Sequence, residues 1–140
     1  MFTTLVALST LTAEMLPSAC ARELGATSVA SRMSDLPTEI REDLAAASKN
    51  EMADSDAAIL RTDAPVEADE GLATSRFIGA LLIGDKWYVS YEVAMMTPTT
   101  IGFVRRQGGT FRRSPFHQFG GPPCEAIRAA TRGVTSRGAL

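Results

Sequence analysis

The amino-acid sequence predicts an α+β protein: a four-stranded antiparallel meander with an N-terminal and a C-terminal helix packed on one face. Three observations predict this class. Trp87, Val89, Tyr91 and Val93 alternate with Tyr88, Ser90 and Glu92, the period of a strand with one buried face. Gly84-Asp85 and Gly108-Gly109 interrupt the apolar runs as hairpin turns do. Leu36, Ile40, Leu44 and Ala47 before the strands, and Cys124, Ile127 and Ala130 after them, repeat at helical spacing.

The elements follow in order. Phe2 to Leu16 is apolar and hydroxyl-rich, and Ala19-x-Ala21 fits the small-residue pattern read by signal peptidase, so residues 1–21 read as an export leader cut after Ala21. The alternatives are a buried N-terminal helix or a later start at Met15 or Met33. A lipoprotein reading at Cys20 is disfavoured by Pro17 at the position where Leu is usual. Residues 22–34 are small and polar and read as a linker, leaving 35–140 as the single domain. Leu36-Pro37 opens the first helix, where proline's missing N–H costs nothing. Glu39, Glu42 and Asp43 in its early turns oppose the positive end of the helix dipole. Ala57 to Leu60 reads as a short strand, and Thr62 to Gly71 as an acidic loop carrying Asp63, Glu67, Asp69 and Glu70.

The main strands come next. Phe77 to Ile83 is an apolar run, followed by the Gly84-Asp85 turn and the alternating strand from Trp87. Ile101 to Arg106 forms a third strand and Thr110 to Arg113 a fourth, ended by Pro115. Gly120-Gly121-Pro122-Pro123 breaks the chain before the last helix, 123–132, and Gly133 is suited to its C′ position.

Composition narrows the function. A chain of 140 residues is one domain. Net charge −2 and a pI of about 5.4 argue against a globally basic nucleic-acid binder. No apolar run approaches the ~18–20 residues of a spanning helix, so no transmembrane span is expected. Two cysteines rule out a disulfide-dense miniprotein and a four-cysteine zinc site. Charge is divided along the chain. Residues 35–70 hold eleven acidic and three basic side chains, and residues 76–140 hold three acidic and nine basic. Such a division suits an acidic segment lying on a basic sheet, or two surfaces with different partners; solvated faces are the plainer alternative.

The candidate chemistry is sparse. His117 is the only histidine, and neither Ser114 nor Cys124 sits in a nucleophile motif, so a loop imidazole between Phe116 and Phe119 is the simpler reading. Asp54-x-Asp56 opens like a calcium loop, but Ala58, Ile59 and Arg61 break the pattern. No metal, cofactor or catalytic residue is called for. Cys124 is alone if the leader is cut after Ala21, whereas an uncut, oxidised chain leaves Cys20 to pair with it; in either case no activating base is evident and Glu125 opposes a thiolate. The unusual cluster is Arg105, Arg106, Arg112 and Arg113 around Gly108-Gly109. With those glycines as the turn, Arg105 faces Arg112 across the ladder, an arrangement that repels unless an anion or carboxylate intervenes. Guanidinium groups suit carboxylate and phosphate, making the four the candidate anion- or partner-binding residues. Arginines that guard a sheet edge from aggregation are the structural alternative.

Gly84-Asp85-Lys86-Trp87-Tyr88-Val89-Ser90-Tyr91-Glu92, with Gly120-Gly121-Pro122-Pro123-Cys124-Glu125-Ala126-Ile127, resembles small uncharacterised exported proteins of alphaproteobacteria. The shared pattern is a Gly-Asp-x-Trp hairpin and a Gly-Pro-Pro-Cys terminal helix, over roughly residues 76–133. The resemblance implies an export signal and a small α+β domain, and no activity.

The expectation is therefore a small exported, non-catalytic binding or accessory protein, periplasmic or secreted, that meets an unknown protein or anionic ligand. An intracellular, cytoplasmic interaction or inhibitor module is the alternative, and a hydrolase using His117 a lesser one.

Overall fold

The computed structural model describes residues 16, 18–49, 52–59, 71–94, 96–105 and 108–136. In chain order these form α1 (Ser18–Glu23), β1 (Ser28–Ala30), a single 3-10 turn (Met33–Asp35), α2 (Thr38–Ala47), β2 (Met52–Ala53), β3 (Ser75–Ile83), β4 (Lys86–Val93), β5 (Thr99–Val104), β6 (Arg112–Gly120) and α3 (Pro123–Thr131). The class is α+β with a mainly antiparallel sheet.

The meander β3-β4-β5-β6 is present, but among the described residues the sheet has six strands rather than four. β1 pairs antiparallel with β3 along Ala80–Leu82, and β2 pairs parallel with it at Ser75 and Arg76. Both additions are two or three residues long, too short for periodicity to mark. Of the expected strand at 57–60, the described residues 57–59 show one parallel bridge, from Ile59 to Ala73, and Leu60 lies outside the described residues.

The helices do not share one face. Ile40 and Leu44 of α2 pack with Phe77, Trp87, Val89, Ile101 and Phe103, and Tyr91 lies against this cluster. Ile127 and Ala130 of α3 pack instead with Leu81 and Tyr88, joined by Cys20 and Ala21 of α1. Covering both faces explains why β4 buries Trp87, Tyr88, Val89 and Ser90 in succession, where alternation predicts one buried face. Two polar pairs lie on the second face: the Ser90 and Thr100 hydroxyls meet at 2.6 Å, and Arg76 bonds buried Glu92.

The region expected as a linker holds β1 and the 3-10 turn. Thr27 donates its N–H to the Leu82 carbonyl at 2.8 Å, which fastens this segment to the sheet. α1 spans the expected cleavage position, and Leu16 lies against Gly79, so the folded unit reaches back to at least Leu16. A cut after Ala21 would remove Cys20, which is bonded to Cys124 with 6.1 Å between their Cα atoms. The rest of residues 1–21 lies outside the described residues.

Turn chemistry follows the sequence. Gly84 sits at φ 63° between β3 and β4. β6, however, runs through Pro115. It is the end strand of the sheet, where a residue without an N–H is tolerated. The register of β6 against β5 slips between Ile101 and Phe103, and Ser136 closes that stretch by donating its N–H to the Phe116 carbonyl and accepting from Gln118 N–H.

Candidate functional site

The connection from β5 to β6 is wider than a two-residue turn. Phe111 tucks into the core at 8% exposure, and its N–H donates to Glu39 Oε2 of α2 at 3.1 Å. Holding Phe111 inward delays the start of β6 to Arg112. The register becomes Val104 opposite Arg112 and Phe103 opposite Arg113, so the expected Arg105–Arg112 cross-strand pair does not form.

Three of the four candidate arginines are placed, each differently. Arg105 leaves β5 exposed, with its guanidinium 4.8 Å from the centre of the Phe111 ring. Arg112 is exposed and makes no side-chain hydrogen bond or ion pair with the described residues. Arg113 is half-buried. It donates from Nε to Asp43 Oδ1 at 3.1 Å, adds a second bond through its terminal nitrogen, and lies 6.0 Å from the Phe103 ring. Arg106 lies outside the described residues, as does the acidic loop with Asp63, Glu67, Asp69 and Glu70.

Glu39 and Asp43 are one helical turn apart, so α2 presents both to this hairpin. The carboxyl of Glu39 is held below its ordinary range, first by its own backbone N–H, then by that of Phe111, with the Arg105 charge adding to the effect. The acidic turn of α2 thus anchors the base of the hairpin and uses up Arg113. Above it, Val104, Gly109, Thr110 and Arg112 line an open concavity of about 600 Å³. Arg112 presents at this concavity a guanidinium without a partner among the described residues, whereas Arg105, held on the Phe111 ring on the α2 side, does not line it.

The other candidates are accounted for structurally. His117 faces Gly102, between the rings of Tyr88 at 6.3 Å and Phe119 at 6.4 Å, and its Nδ1 has no hydrogen-bond partner among the described residues. Burial pushes its pKa down, assisted by the charge of Lys86. Ser114 Oγ accepts the N–H of Phe116, and Cys124 is bonded to Cys20 rather than free. Asp54 accepts the N–H groups of Met33 and Ser55 and, with Asp56, pairs with Arg32. Among the described residues no cluster of three or more metal-ligating side chains forms, and no helix is long and apolar enough to cross a membrane.

Sequence reasoning read Glu39 and Asp43 only as helix-terminal charge, although their i, i+4 spacing marks one face. It also passed over Arg128, four residues after Cys124. Arg128 donates to Glu23 Oε2 at 2.8 Å and approaches Cys124 Sγ at 3.5 Å. No family model matches the chain, and neither does any curated protein or solved structure.

Proposed function

We propose that this chain is a small exported, non-catalytic binding or accessory protein of the bacterial envelope, and that it takes an anionic partner at the tip of the β5–β6 hairpin. The observation that carries this reading is the division among the arginines. Arg113 is neutralised by Asp43, whereas exposed Arg112 has no counter-charge among the described residues and Arg105 lies ready on Phe111. Arginine held on a ring loses less freedom when it engages a carboxylate or phosphate. Export draws support from the Cys20–Cys124 disulfide, since such bonds persist in oxidising compartments. The resemblance of the Gly-Asp-x-Trp and Gly-Pro-Pro-Cys segments to exported proteins points the same way.

Two measurements test the reading. Fractionation of a native host with intact-mass analysis should place the chain outside the cytoplasm, with Cys20 retained and oxidised. A cytoplasmic, reduced chain contradicts export. Calorimetric titration with a heparin oligosaccharide should show binding that weakens as salt rises. Absence of heat and of binding at low salt contradicts the anionic partner.

A further inference from the structure

The disulfide sits in an environment that suits exchange. Cys124 is the second residue of α3, after Pro123, where free backbone N–H groups and the positive dipole end favour an anion. Arg128 adds a full charge on the same face, with its terminal nitrogen 3.5 Å from Cys124 Sγ. Cys124 is half-buried, whereas Cys20 is 3% exposed among Leu81, Tyr88 and Ile127. The two cysteines therefore differ: Cys124 is partly exposed, with the Arg128 charge and the helix end beside it against the opposing charge of neighbouring Glu125, and Cys20 is buried and apolar. That asymmetry is what a sulfur poised for exchange requires.

The consequence of exchange is also built in. The disulfide ties α1 to α3, and the same guanidinium that faces Cys124 holds Glu23 of α1. α1 in turn contributes Cys20 and Ala21 to the second core.

We propose that Cys20–Cys124 is a thiol–disulfide exchange site for a dithiol reductant, with Cys124 as its thiolate end and release of α1 as its result. The reductant's first thiolate attacks Cys124 Sγ, breaking the bond to Cys20 and forming a mixed disulfide. Cys20 leaves and takes a proton. The second reductant thiolate attacks the reductant sulfur of the mixed disulfide, closing an intramolecular disulfide and releasing Cys124 as a thiolate beside Arg128. Two electrons pass from the dithiol to the protein disulfide. Of the dithiol's two protons, one ends on Cys20 and one in solvent. This inference stands apart from the hairpin-tip reading: either can fail alone.

The test is equilibration of the full oxidised chain with oxidised and reduced dithiothreitol in varying ratio, with free thiols trapped and counted. Arg128→Ala should need at least a tenfold more reducing ratio for half-reduction, Arg128→Lys should recover part of the shift, and Glu23→Gln should not reproduce it. Separately, the thiolate absorbance of a Cys20→Ser chain should show Cys124 titrating below the ordinary value of about 8.5. On reduction, hydrogen exchange should quicken at least tenfold at the Leu24 amide, which donates to Cys20 in the oxidised chain, but not at β4 amides. Equal midpoints for the parent and Arg128→Ala, or Cys124 titrating at or above an ordinary thiol, overturns the thiolate assignment. Unchanged exchange at Leu24 overturns the release of α1.

Discussion

Arg113 of β6 is bonded to Asp43 of α2, and that pairing separates it from Arg112, its neighbour in the chain. Alternation along the strand sends the two side chains to opposite faces, one onto the helix and one away from it. The two arginines should accordingly behave differently when removed. Arg113→Ala gives up a partly exposed ion pair and a ring contact, a cost of about 1–2 kcal/mol in urea unfolding. Arg112→Ala should leave the urea midpoint unchanged. Equal costs for the two would mean that the Asp43 contact does not hold the helix to the hairpin.

Gly102 faces His117 at closer range than any side chain allows. A Cβ built at Gly102 would lie 2.7 Å from the His117 Cβ, so one of the two strands must shift to admit it. Gly102→Ala should cost about 1–3 kcal/mol, as overpacking does. His117→Ala does not relieve the clash, because its own Cβ remains. A neutral Gly102→Ala would show that β5 and β6 are not in this contact.

Acid should weaken the fold in two stages with the same sign. Burial lowers the His117 pKa, so the unfolded chain binds a proton at higher pH than the folded one. Its contribution is complete above pH 6.5 and is lost as pH falls through the lower folded value. Glu39 and Glu23 are lowered too, Glu23 chiefly by its bond from Arg128, and their contributions are lost only below pH 4.5. His117→Phe should therefore flatten urea midpoints between pH 6.5 and 4.5 and leave the lower stage in place. A parent-like decline in that variant would place the upper stage elsewhere.

Trp87 is 6% exposed beneath α2, in the cluster with Ile40 and Leu44. Trp87→Ala should destabilise by about 3–5 kcal/mol. An unfolding midpoint equal to that of the parent would show that α2 does not cover this face.

The sequence made the central elements legible and the layering less so. Leu36, Ile40 and Leu44, the Gly84 turn, and Ile127 with Ala130 stand where periodicity and turn chemistry put them, because each is a local property of its own segment. The face each helix covers is not local. Trp87 and Tyr88 are adjacent and both apolar, and only the packing of α2 on one and of α1 with α3 on the other separates their roles. The hairpin register is not local either. Gly108-Gly109 suggested the turn, but Phe111 is drawn inward by Glu39, a residue far away in the chain. The arginines as a cluster were visible, whereas the sorting of Arg113 from Arg112 required the position of Asp43.

We propose that the hairpin tip, and not basic charge in general, receives an anionic partner. This is tested most directly by elution from immobilised heparin at low salt, comparing the parent with the double variant Arg105→Ala/Arg112→Ala and with Arg113→Ala. The parent and Arg113→Ala should be retained and elute together as salt rises, since Arg113 is already neutralised by Asp43. The double variant should pass through unretained while keeping the parent's urea midpoint. A folded double variant retained as strongly as the parent would contradict the claim.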